Sequence, residues 1–100
     1  MKTRTELIDM VAEAETTDEI IAKADEVITI FAADPSYSLG TVEVVCKLLY
    51  WACRDRIKSY SDMIFMYPKE TDVARWQDRK QRLINCRDKL YKTAPTLMVL

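Results

Sequence analysis

TVEVVCKLLYWACRDRIKSYSDMIFMYP, residues 41–68, decides the fold. Val42, Val45, Leu49, Cys53, Ile57, Tyr60 and Ile64 follow one another at intervals of three or four residues. That spacing is the period of one helical face. No Gly or Pro interrupts it before Pro68. The stretch therefore predicts a single helix over about 41–66, which at 1.5 Å per residue exceeds roughly 35 Å. Val44, Leu48 and Trp51 widen the stripe at its start, which predicts burial on two sides there. At the other end, Met63, Ile64, Phe65, Met66 and Tyr67 are apolar in succession and point all around the axis. They stop at Pro68, whose ring removes an N–H donor and disfavours helical backbone at the residue before it.

Outward from this helix, the chain continues to read as helical. Thr3 and Glu6 fit a capping box, followed by the apolar face Leu7, Ile8, Met10, Val11 and Ala14, which predicts a helix over about 4–14. Thr16 and Glu19 repeat the start signal. Ile20, Ile21, Ala24, Val27, Ile28 and Phe31 then predict a helix over about 18–33, stopped at Asp34-Pro35. Pro35 to Gly40 is a loop. After Pro68 a fourth helix is expected over about 70–93, with a narrow apolar face of Val73, Trp76, Leu83, Ile84, Leu90 and Tyr91. The tail Leu97–Leu100 is apolar, and it is one candidate cover for the outer side of Met63–Tyr67. The expected fold is all-α, one domain over 1–100, with one long central helix.

Composition narrows the function. The chain has 100 residues, 49% apolar, with a single Gly and three Pro. No apolar run is long enough to span a membrane, and the start lacks the apolar stretch of a signal peptide. A cytoplasmic protein is expected. There is no His, which removes the commonest general base, and one Gly cannot build a phosphate loop. Catalysis is not expected, nor is a cofactor. Of the three Cys, Cys46 and Cys53 are two helical turns apart, too far to bridge within one helix. Three Cys without His do not make a zinc site. They are read as buried, reduced residues.

The net charge of −1 conceals an asymmetry. Residues 1–50 carry four Lys/Arg against ten Asp/Glu, and residues 51–100 carry eleven against six. Either the halves attract one another in the fold, or one of them carries a binding face.

Two surfaces are candidates for function. One is the apolar end Met63, Phe65, Met66, Tyr67 and Pro68, because apolar patches rich in Met and aromatics mark interfaces. The Tyr67–Pro68 bond has only a small trans preference and exchanges slowly. With an aromatic before the proline it is the leading candidate for a cis bond in the chain, so a cis bond with a slow two-state step at this turn is one reading. A trans proline in the first turn of the fourth helix is the other. The second surface is a basic stripe, Arg75, Arg79 and Arg82, continued by Lys89. It would face an acidic protein groove, follow a phosphate backbone or be merely solvated. Asp72–Arg75, Asp78–Arg82 and Asp88–Lys92 are spaced to neutralise part of it.

The long helix ending at Pro68, the chain length and the opening MKTRTELIDM resemble the small anti-RecBCD accessory proteins of lambdoid phages. This resemblance covers the whole chain. It implies a host-takeover protein that binds the host RecBCD helicase-nuclease through its RecC subunit and changes how DNA ends are treated, to the benefit of phage recombination. It implies no catalytic residues. It associates the Tyr67–Pro68 turn with the interaction, where a host prolyl isomerase could also engage. Direct DNA binding is not expected. The alternatives are a nucleic-acid-binding or regulatory protein using the basic last helix, and a self-assembling structural protein.

Overall fold

The computed structural model describes residues 1–95 and consists of four helices: α1 (Arg4–Ala12), α2 (Thr17–Ala33), α3 (Leu39–Met66) and α4 (Val73–Thr93). There are no strands among the described residues. The expected tail Leu97–Leu100 lies outside them.

Each of the first three helices begins where its side-chain cap places it. Thr3 Oγ1 accepts from the Glu6 amide at 3.2 Å, while Glu6 accepts from the Thr3 amide at 3.3 Å. Thr16 caps α2 through the Glu19 amide at 3.2 Å. Ser38 caps α3 through the Thr41 amide at 3.2 Å, so α3 starts two residues before the expected boundary. The first helix ends at Ala12 rather than 14, and Ala14 closes it with a bond to the Val11 carbonyl.

α4 starts at Val73, three residues later than expected. The reason lies in the connection. Tyr67 leaves helical backbone at φ −130°, ψ 59°, as a residue before proline tends to do. Two turns then follow, with the Glu70 amide bonded to the Tyr67 carbonyl and the Val73 amide to the Glu70 carbonyl. Pro68 therefore punctuates α3 and does not open α4. No peptide bond among the described residues is cis, and Tyr67–Pro68 is trans.

The core joins Leu7 and Val11 of α1, Ile20, Ala24, Val27 and Phe31 of α2, Val45, Cys46, Leu49, Cys53 and Tyr60 of α3, and Leu83, Cys86 and Leu90 of α4. The α3–α4 pairing is the most extensive, α2 packs on both, and α1 approaches only α2 and α3. α3 and α4 run antiparallel, so that Cys53 Sγ meets Cys86 Sγ at 3.7 Å.

Trp51 departs from expectation. It is 39% exposed, with the Lys47 ammonium 5.2 Å from its ring centroid. Thr41 and Cys46 are buried in the first half of α3 instead. The two-sided burial holds through Val44 and Leu48, which pack on the core.

The radius of gyration is 14.6 Å, against about 13 Å for an average chain of this length. The long dimension, 49 Å, reflects α3, whose 28 residues rise about 42 Å. No helix among the described residues is long and apolar enough to cross a membrane.

Candidate functional site

The end of α3 carries three consecutive large apolar side chains that are exposed, whereas Leu39 and Trp51 stand singly elsewhere on the helix. Phe65 is 86% exposed, Met66 64% and Tyr67 50%. Their exposure follows from the helical period and from the helix end. Tyr60 and Met63 lie three apart and turn toward the core, so Phe65 faces away. Met66 follows on the Met63 side but is the last residue of the helix, beyond the final core contact of α3. Pro68 is exposed beside them. Met63 differs from its neighbours in packing against the core.

The basic stripe divides in the structure. Arg75 is held by Asp72, with Nη2 2.6 Å from Oδ1. Arg82 reaches across to Asp18 of α2 at 3.0 Å rather than along its own helix to Asp78. Lys89 likewise lies 3.7 Å from Asp25 of α2. Asp88 is 3.7 Å from Arg87 rather than paired with Lys92. The expected attraction between the acidic and basic halves thus operates between α2 and α4. Arg79 behaves differently. It is half-buried and forms no ion pair among the described residues.

Arg79 instead lines two adjoining clefts together with Arg56 and Tyr60. One, of about 470 Å³, is completed by Asp55, Ser59, Met63 and Trp76. The other, of about 360 Å³, is completed by Thr16, Thr17 and Asp18. Arg56 is also half-buried and without an ion pair among the described residues. Tyr60 and Thr17 are buried, and their hydroxyls share a hydrogen bond of 3.0 Å. Burial pushes the Tyr60 phenol up, but the Thr17 hydroxyl and the neighbouring Arg79 and Arg56 guanidinium groups outweigh it, and the net shift is downward.

The structure thus brings Met63 and Arg79 into one cleft, sets Phe65, Met66, Tyr67 and Pro68 beyond it, and occupies Arg75 and Arg82 with carboxylates. Sequence reasoning missed Arg56, Thr17 and the polar role of Tyr60. The only local signal was an Arg one turn before a Tyr on an otherwise apolar stripe. All three Cys are buried and unbridged. Burial pushes the Cys46 thiol up to about 12. Comparison with protein-family models, with curated proteins and with solved structures yields no match to this chain.

Proposed function

We propose that this chain is a non-enzymatic protein-binding module that attaches to a host enzyme and alters its behaviour. The observation that carries this reading is the cluster of Phe65, Met66 and Tyr67, exposed together at the end of the longest helix. Aromatic and Met side chains at such a site supply the large, adaptable contacts that anchor protein interfaces. In line with the resemblance of the sequence, the partner is the host RecBCD complex, engaged through RecC in the bacterial cytoplasm. The consequence is that DNA ends are protected or redirected for phage recombination. Pro68, exposed and preceded by an aromatic, suits engagement by a host prolyl isomerase at the same turn.

The nucleic-acid alternative is less well supported. Arg75, Arg82 and Lys89 each lie against a carboxylate, which leaves the stripe little uncompensated charge for a phosphate backbone.

The test is binding of purified RecBCD to the wild-type chain and to a Phe65→Ser, Met66→Ser double variant. The substitutions touch exposed positions, so helical circular dichroism should be preserved. Affinity should fall at least about tenfold, the equivalent of 1.4 kcal/mol, and depend only weakly on salt. Wild-type affinity in the variant would remove this surface from the interface.

A further inference from the structure

We propose that the cleft bounded by Arg56, Tyr60 and Arg79 receives a carboxylate side chain from an acidic protein segment, with the apolar neighbour of that residue seated against Met63 and Trp76. This rests on the protein-binding reading above and names the chemistry of a second contact, on the α3–α4 face rather than at the helix end.

Three observations lead there. First, Arg56 and Arg79 are half-buried and lack ion pairs among the described residues, whereas Arg54, Arg75, Arg82 and Arg87 each have one. Two guanidinium groups at one cleft offer the forked donors that match a carboxylate. Second, the adjoining wall is polar in a way that suits an anion. The Tyr60 and Thr17 hydroxyls lie there, beside the start of α2, whose dipole is already met by Asp18 and Glu19. Third, the other wall, Met63 and Trp76, is apolar. The clefts, at about 470 and 360 Å³, are large enough for two side chains.

The charge balance selects the type of anion. Asp55 and Asp18 also line the clefts. Each is engaged by its own arginine, Arg54 and Arg82, but both remain close. A single carboxylate meets two uncompensated guanidinium groups. A phosphate dianion or a run of backbone phosphates would bring more negative charge against the same two aspartates. An acidic residue beside an apolar one therefore fits best.

The experiment uses the full chain with Trp51→Phe, so that Trp76 is the sole tryptophan reporter. An N-acetylated, C-amidated peptide with a Glu-Leu pair between glycines is titrated into the millimolar range while Trp76 fluorescence is followed. The expected result is saturable binding that weakens at least about tenfold when the peptide carries Gln in place of Glu, as loss of a charge-assisted hydrogen bond implies. Arg56→Gln and Arg79→Gln should weaken it similarly, with Arg56→Lys intermediate and helical circular dichroism unchanged. No saturable signal, equal binding of the Gln peptide, or indifference to both arginine variants overturns the proposal. So does a single-stranded oligonucleotide that binds through the same arginines while the peptide does not. The Phe65→Ser, Met66→Ser protein should bind the peptide normally. If it does, yet RecBCD binding proves independent of Phe65 and Met66, the helix-end reading fails and the cleft stands. If RecBCD binding needs Phe65 and Met66 but no peptide binds, the cleft fails alone.

Discussion

Tyr60 shows how one side chain can belong to a core and to a surface. Its ring is buried on the apolar face of α3, while its hydroxyl meets Thr17 at the start of α2. Because the net shift of its phenol is downward from 10.0, an alkaline titration followed by phenolate absorbance should show an early step that is missing from Tyr60→Phe. Arg79→Gln should move that early step upward. If Tyr60→Phe leaves the early part of the titration unchanged, the guanidinium groups do not face the hydroxyl. The linkage has a definite sign. A lowered folded value adds stability that is fully present above pH 10 and is lost as pH falls through the folded value. At neutral pH Tyr60→Phe therefore acts through the lost Thr17 hydrogen bond, about 1 kcal/mol, measurable by urea unfolding. Little of this was legible in the sequence. Tyr60 appeared there only as one step of a stripe with Arg56 one turn before it, because its other partners, Thr17 and Arg79, come from two other helices.

At the scale of the elements, much more was legible. The four helices follow from period and caps that lie within a few residues of one another, such as Thr3 with Glu6 and Thr16 with Glu19. The boundaries that moved are those set by backbone turns. α4 lost its first residues to the connection after Pro68, where no side-chain pattern announces the two turns. The apolar face of α4 was read without Cys86, which is buried, since a lone Cys adds little to a periodic pattern. Its partner, Cys53, was legible only as a stripe position, and the seam they form depends on how α3 and α4 align. In that seam, Cys53 is held protonated, first by its bond to Cys86 and then by burial. A thiolate is the reactive form, so Cys46 and Cys53, both pushed up, should resist an aromatic disulfide reagent in the native protein. Cys86 should resist through burial alone, since the bond from Cys53 moves its thiol downward. All three should react fully in denaturant. Rapid native reaction of one thiol would show that the seam opens readily. Cys86 is the one to expect, since it alone keeps residual exposure.

For the whole molecule, the governing fact is the uneven burial along α3. Val45, Cys46, Leu49 and Cys53 are buried to 1% exposure or less, Tyr60 alone is buried beyond them, and Phe65 and Met66 stand in solvent. A helix is usually treated as one cooperative unit, but cooperativity comes from tertiary packing more than from the helix itself. Amide hydrogens from 45 to 53 should therefore exchange only through global opening, with rates that rise steeply as denaturant is added. Those of the last turn, near 63 to 66, should exchange by fraying and respond little to denaturant. Equal denaturant slopes along the helix would mean that α3 opens as one body. The expected gradient has a consequence for recognition. A partner that grips Phe65 and Met66 holds the least protected part of the fold, so complex formation should slow exchange there before it changes anything in the core. Part of the intrinsic affinity is then spent on ordering that last turn. A substitution that stiffens the end of α3 without touching the partner would tighten the complex.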